Sequence, residues 1–283
     1  MKKIISVLLI LLVLIGCSNN DTNVVDDANV LVVGMECASE PFNWTDVDEP
    51  SFGSVTIAKG EGVGEYCNGL DVQVAKYVAK QLGKELQVYA LEWDSLLPAL
   101  DSGAIDCVIG NMSPREDRKV NYDFTSSYYD VNYVVLIKKD SSLVNATSIE
   151  DLKGANIAVQ TDLHEDLAKQ IEDVKYSFYD NFDMEATAVK SGVVDGAIMD
   201  GPAAITYTFK DDEFTYIDLK NNSNGFAVSE ADYANAAAFK KGNPLKDEVE
   251  AIIGSISMDT YSALMEEILL VNNGNTIDKF SLE

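Results

Sequence analysis

Cationic side chains are scarce in this chain. Its 283 residues carry 21 Lys and Arg against 47 Asp and Glu, a formal net charge of −26. Nucleic acid needs a cationic surface to meet its phosphates, so that balance excludes it as a partner. It equally excludes flat docking on an anionic bilayer. Histidine occurs once, as His164. The four cysteines include no CxxC pair, and one imidazole cannot complete a zinc site, so neither a metal nor a cofactor is expected. Beyond the first residues there is no run of 18 apolar residues, which a membrane-spanning helix requires. What is present is foldable: 47% of residues are hydrophobic, and the charges are interspersed among them. The length suits one large domain or two medium ones.

Arginine is the scarcest cation. The chain uses lysine elsewhere and places its two arginines in one segment, Asn111-Met-Ser-Pro-Arg115-Glu-Asp-Arg118. That segment follows the apolar run Ile105 to Gly110, which reads as a buried strand. In open α/β sheets, ligands bind beyond the carboxyl ends of strands. The guanidinium fork matches a carboxylate in bidentate fashion, as lysine cannot. Arg118 is therefore read as a ligand contact, and Arg115 as a surface residue. The alternative for Arg118 is that it too belongs to a solvated surface loop that contributes little.

Lys2 and Lys3 precede an almost wholly apolar stretch, Ile4 to Ile15, about 18 Å long as a helix. That is too short for a bilayer core of about 30 Å, and residues 1–16 read as a signal peptide. The run ends in Leu14-Ile15-Gly16-Cys17. Small residues before such a cysteine resemble the lipobox of bacterial lipoproteins, in which Cys17 is acylated and becomes the mature amino terminus. Loss of Lys2 and Lys3 with the leader takes the formal charge from −26 to −28. Residues 17–28 then form a polar tether. The expected location is the extracytoplasmic face of the cell membrane, with only the lipid in the bilayer. Cys107 lies inside an apolar strand and reads as a buried thiol. Cys37 and Cys67 flank the first strands, and their spacing leaves open whether they form a disulfide.

Periodicity predicts the elements. Val30 to Val33 is a strand, and 35–69 reads as irregular. The 3–4 spacing of Val72, Val74, Ala75, Val78, Ala79 and Leu82 predicts a helix stopped by Gly83. Strands follow at 86–91 and 105–110, with a short helix from Trp93 capped by Asp94 or Ser95. This alternation predicts a parallel sheet. A long strand at 132–137 opens a second α/β cycle. Its strands are predicted at 156–160, 175–179 and 194–199, and its helices from Asp162, Asp183 and Pro202. Asp162-Leu-His-Glu165 fits a capping box. A returning strand at 234–239 and helices at 244–256 and 260–270 close the chain. The two cycles share a motif, Ser102-Gly-Ala-Ile-Asp106 and Ser191-Gly-Val-Val-Asp195, before strands that end in Asn111/Ser113/Arg118 and in Asp200. One half thus offers a cation and the other an anion, the charge pattern complementary to an amino acid zwitterion.

These segments resemble the bacterial extracellular solute-binding proteins of family 3. The resemblance rests on Val33-Gly-Met-Glu36, Pro41-Phe-Asn-Trp-Thr45, Gly69-Leu-Asp-Val-Gln-Val-Ala75 and Glu92 to Leu100. It continues through Ser102 to Asp106, Met112-Ser113 through Arg118, Tyr122 to Tyr129, Asp151-Leu-Lys-Gly154 and Lys241-Gly-Asn-Pro-Leu245, in family order from about 30 to 270. It implies a type II periplasmic-binding-protein fold, two α/β lobes joined by two crossover strands with a ligand cleft between them. Lobe 1 would be 29–131 plus 235–283, and lobe 2 would be 132–234.

The resemblance also implies site roles. Arg118 would hold an α-carboxylate, helped by the Ser113 amide and hydroxyl. A backbone carbonyl near Asn111 and Met112 would accept from the α-ammonium, with Asp200 facing it from the other lobe. Trp93 would wall the ligand stem with Phe42 nearby, and Glu36 would face the side-chain pocket. Trp93 could instead be a core aromatic, Asp200 a helix cap before Pro202, and Glu36 a surface residue. The chain departs from the family pattern at Thr161-Asp162-Leu163-His164, where Gly-Thr-Thr is usual. Asp162 would set a negative charge near a ligand carboxylate unless it turns away as a cap. His164 could replace a lost hydroxyl, recognise the ligand side chain, or lie exposed. The implied function is capture of a polar or basic amino acid by a monomeric lipoprotein and its delivery to an ABC-transporter permease, without chemistry. The alternatives are a same-fold enzyme such as cyclohexadienyl dehydratase, or a receptor that only reports ligand.

Overall fold

Val30–Met35 (β1) alternates no polar residues and is buried almost throughout, as a central strand of a parallel sheet must be. The computed structural model describes residues 29–46, 50–275 and 277–282. The expected leader, Cys17 and the tether lie outside them. After β1 come β2 (Ala38–Ser39), β3 (Asn43–Asp46), β4 (Val55–Gly60), β5 (Tyr66–Asn68) and helix α1 (Leu70–Gln81). Then follow β6 (Glu85–Ala90), α2 (Trp93–Ser102), β7 (Cys107–Val108), α3 (Glu116–Lys119), β8 (Tyr122–Phe124) and β9 (Tyr129–Asp130). The stretch 35–69, expected to be irregular, contains four of these strands. They pair mainly antiparallel and are short, so no alternation long enough to read survives.

Helix α1 starts where Gly69, at φ 127, turns the chain. A Cβ there would lie 2.1 Å from the Phe42 carbonyl oxygen, so glycine is required. The turn lets the Leu70 and Asp71 amides donate to the carbonyls of Pro41 and Phe42.

The second sheet is built from β10 (Tyr133–Lys138), β11 (Asn156–Val159), β12 (Lys175–Phe178), β13 (Gly196–Asp200) and β14 (Phe214–Ile217). Helices α4 (Leu163–Ala168), α5 (Phe182–Lys190) and α6 (Gly201–Lys210) connect or cover them. The order is β12-β11-β13-β10-β14, with β10 antiparallel to both neighbours. This second sheet is mixed, whereas the parallel pairing expected of the first three predicted strands holds for β6-β1-β7. Strand β14, missed in the sequence, pairs beside β10 as an edge. After α7 (Glu230–Tyr233), β15 (Ala234–Asn235) pairs antiparallel with β9, and β16 (Ala238–Lys240) rejoins the first sheet between β7 and β8. Helices α8 (Leu245–Ile253) and α9 (Met258–Asn272) follow. The first sheet reads β2-β3-β5-β4-β6-β1-β7-β16-β8. The chain therefore passes between the sheets twice, beside the β9–β15 ribbon.

The repeated Ser-Gly-Xaa-Xaa-Asp motif has one structural job in both halves. The Asp106 carboxylate accepts the Val32 amide at 2.8 Å, and the Asp106 amide donates to the Val32 carbonyl at 2.8 Å. Asp195 does the same with Asn156, at 2.8 and 2.7 Å. Each aspartate ties the start of one strand to the parallel strand beside it. Among the described residues no helix is long and apolar enough to cross a membrane.

Candidate ligand-binding cleft

The carboxyl ends of strands from both sheets face one cavity of about 200 Å³. From the first sheet come Glu36 after β1, the start of α2 with Glu92, Trp93 and Asp94, and the loop after β7 with Asn111, Ser113 and Arg118. From the second come Thr161, Asp162 and His164 after β11, Phe178, Tyr179 and Asp180 at the end of β12, and Asp200 at the end of β13. Such a crevice outside the carboxyl ends of strands is where open α/β sheets bind ligands.

Arg118 sits on α3 with its side chain only 8% exposed. Its Nη1 donates to the Ser113 carbonyl at 2.9 Å, and its guanidinium lies 5.4 Å from the Trp93 ring centroid, a cation–π distance. Its Nη2 donates to Asp162 Oδ2 at 2.5 Å. Asp162 therefore does not turn away as a helix cap: it makes no cap bond, and its carboxylate crosses the cleft. Its φ of 72° lies in the left-handed region, so the expected capping box at the start of α4 does not form.

Arg115 is corrected from a surface residue to a tie between the sheets. Its side chain is 16% exposed, and its Nη2 meets Asp166 on α4 at 3.0 Å. Its Nη1 lies 3.6 Å from Asp162 Oδ1 and is buried without a hydrogen bond. The Arg115-Glu-Asp-Arg118 spacing carried this signal: Arg115 precedes α3, Arg118 lies on it, and both guanidinia reach Asp162.

Asp200 is buried at the amino end of α6 and makes no cap bond there. Its Oδ2 instead accepts from Asn111 Nδ2 of the other lobe at 2.7 Å. Its Oδ1 lies 3.8 Å from His164 Nε2. His164 is held between rings, stacked on Phe182 at 5.7 Å and edge-on to Tyr133 at 5.9 Å. It is buried, not exposed, and its Nδ1 has no hydrogen-bond partner.

Asn111 is itself fixed by a buried network. Its φ is 54°, a region asparagine tolerates better than most residues. Its amide donates to Tyr128 Oη, whose hydroxyl donates to Asp71 at 2.7 Å. Asn43 donates to the other Asp71 oxygen at 2.7 Å, and Asn235 donates to Asn111 Oδ1 at 2.5 Å. Burial pushes the Asp71 carboxyl up to about 7, against the pull of the Tyr128 and Asn43 hydrogen bonds.

The cleft is acidic. Its lining includes Glu36, Glu92, Asp94, Asp162, Asp180 and Asp200, against one guanidinium, Arg118. Burial, with the Glu92 and Asp94 charges beside it, raises the Glu36 carboxyl to about 7. Among the described residues no cluster of three or more His, Cys, Asp or Glu side chains is arranged to hold a metal ion.

The model of the bacterial extracellular solute-binding proteins, family 3, matches residues 31–270. The chain belongs to that family. Among similar proteins, the arginine-binding extracellular protein ArtP of Bacillus subtilis is 28% identical over 243 residues, covering 83% of this chain and 84% of that protein. The L-cystine-binding protein TcyJ of Escherichia coli is 28% identical over 249 residues, covering 87% of this chain and 84% of that protein. A crystal structure of the substrate-binding protein of an amino acid ABC transporter superposes with TM-score 0.68 at 27% identity, over 85% of this chain and 97% of that one. A Streptococcus pneumoniae substrate-binding protein bound to L-arginine superposes with TM-score 0.72 over 86% of this chain and 95% of that one; at 23% identity it speaks to the fold alone.

Of the residues expected to line the cleft of this family 3 protein, Arg118, Asp200, Ser113, Asn111, Trp93, Glu36 and His164 lie around the cavity. Phe42 and Met112 do not. Phe42 is fully buried, edge-on to Tyr129 at 5.9 Å, and Met112 packs in the core with its carbonyl accepting the Ala236 amide. Met112 lies between two cleft residues in sequence, yet its side chain points into the core, and Phe42 lies in the core as well. Phe178, Tyr179 and Asp180 were missed. Phe178 is 52% exposed, and an exposed aromatic at a strand end carries no periodic signal. Cys37 and Cys67 are both buried free thiols, and Cys107 is likewise free and buried.

Proposed function

We propose that this chain captures a basic amino acid between two lobes, 29–131 with 235–283 and 132–234, and hands it to a membrane permease without chemical conversion. The observation that carries this is the charge of the cleft: six lining carboxylates against one guanidinium that already has an acidic partner. A carboxylate buried among like charges favours its neutral form, and a cation placed beside it relieves that cost. Glu36, with Glu92 and Asp94, forms the end that receives the ligand's side-chain cation. Asp200 receives its α-ammonium, and Arg118 with Ser113 its α-carboxylate. Trp93 and Phe178 flank the stem between them. The arginine-binding relative from Bacillus subtilis supports this choice. Lipid attachment at Cys17 on the extracytoplasmic face, and a monomeric state, complete the reading.

Groups from both lobes meet the ligand together only when the cleft is shut. Charge-assisted hydrogen bonds contribute about 1.5–3 kcal/mol each. Two or three made only in the closed form approach the roughly 5.5 kcal/mol that moves a two-state equilibrium almost completely. A thermal-shift screen of the purified protein against the twenty amino acids tests the proposal. Arginine, lysine or histidine should raise the unfolding midpoint, and Arg118→Ala should abolish that rise. Stabilisation by acidic or purely apolar amino acids alone would overturn it.

A further inference from the structure

The Arg118 fork is occupied from within the protein. Nη1 is held by the Ser113 carbonyl at 2.9 Å and Nη2 by Asp162 at 2.5 Å. A ligand carboxylate that binds Arg118 in bidentate fashion needs the edge on which the Asp162 carboxylate lies. Asp162 also has somewhere else to go. Its Oδ1 lies 3.6 Å from Arg115 Nη1, a buried donor with no hydrogen-bond partner. A small rotation toward Arg115 would satisfy that donor and free Nη2 of Arg118. The two arginines of the chain thus stand on either side of one aspartate, a seat facing the ligand and a seat facing away. Asp162 holds this place at φ 72° and ψ −121°, a backbone region that residues with a Cβ rarely adopt. Such a conformation persists where surrounding contacts over-determine it, and here the contacts are the two guanidinia.

We propose that Asp162 is a resident carboxylate that competes with a ligand's own carboxylate for Arg118, and so sets how the site ranks an amino acid against the amine that lacks the carboxylate. This deepens the proposed amino-acid reading and rests on it. An amino acid binds at the cost of moving Asp162 to the Arg115 seat. A decarboxylated cation leaves the Asp162–Arg118 pair in place and still meets Asp200 and Glu36. The residue therefore narrows the advantage that an α-carboxylate would otherwise confer. Arg115 acts through Asp162, by accepting it when it leaves.

Isothermal titration of the purified protein with two pairs, L-arginine against agmatine and L-lysine against cadaverine, tests this. The quantity read is the ratio of amine Kd to amino acid Kd. Asp162→Asn removes the charge and keeps a side chain that tolerates positive φ, and Asp162→Gly serves if the first variant unfolds. Either should shift the ratio toward the amino acid by tenfold or so, and a shift of at least threefold supports the proposal. Arg115→Met should shift it the other way, because Asp162 then has one seat only. A general structural role for Asp162 would weaken both members of a pair alike and leave their ratio unmoved. A ratio within threefold of the wild-type value, with binding retained, overturns the proposal alone. Failure of all four compounds to bind the wild-type protein overturns the amino-acid reading, and this inference with it.

Discussion

Glu36 shows how much one side chain in this cleft decides. Burial and the neighbouring charges of Glu92 and Asp94 raise its carboxyl to about 7. A cationic ligand binds the ionised form better, so binding lowers that value and affinity rises with pH. The Kd for L-arginine should weaken several-fold between pH 8 and pH 6. In Glu36→Gln the same titration should be flatter, and binding at pH 8 weaker. A steep pH dependence that survives Glu36→Gln would place the titrating group elsewhere. Glu36 was legible only through the family resemblance, and Arg118 because arginine is so rare here. Met112 shows the limit. Sequence proximity to a site does not tell which way a side chain points, since successive residues in extended chain alternate sides. Asp162 was flagged as a departure from the family pattern, but its partner across the cleft lies 44 residues away and no local rule connects them.

At the scale of elements, the strongly periodic segments were readable and the short ones were not. Helices α1, α5 and α6 fall close to their expected ranges because each lays an apolar stripe against a sheet, and α9 does so against α1, α6 and β9. The strands between 38 and 68 run from two to six residues, and pairing rather than alternation defines them. Helix α5 also holds a polar group that no pattern predicts. Glu185 is fully buried, and neither carboxyl oxygen has a hydrogen-bond partner. Burial, with a smaller contribution from Asp200, pushes its carboxyl well above the ordinary range. The consequence has a definite sign. Below the unfolded-state value of about 4.3 both states are protonated and the group carries no ionisation penalty. As pH rises through that value the unfolded chain ionises while the folded carboxyl stays neutral, so stability is lost. Glu185→Met, close in shape and without polar oxygens, should therefore stabilise the fold by about 1–3 kcal/mol. Its gain should be larger at pH 8 than at pH 5 in urea unfolding. An equal gain at both would mean that Glu185 is ionised in the folded state or has a water partner.

On the scale of the whole molecule, charge decides how the ligand arrives. The chain has a formal net charge of −26, and the cleft concentrates six carboxylates around one arginine. A concave acidic site in a low-dielectric frame focuses the field toward its mouth and draws cations in. Once bound, a ligand enclosed between the lobes is shielded from salt by the protein around it. Screening has a range of about 10 Å at 0.1 M salt, so it acts on the approach more than on the closed complex. The two rates should therefore respond differently to ionic strength. Trp93 lines the cleft while Trp44 lies in the core, so intrinsic fluorescence in stopped-flow mixing reports binding at the site. Raising NaCl from about 10 to about 300 mM should slow association of L-arginine by roughly tenfold and change its dissociation by less than about twofold. A zwitterion without net charge, such as L-glutamine, should show a much smaller effect if it binds. The opposite pattern, dissociation quickened by salt and association unchanged, would mean that the ties across the cleft, Arg118 with Asp162 and Arg115 with Asp166, govern affinity by their own screening. In that case the field of the molecule would contribute little to ligand capture.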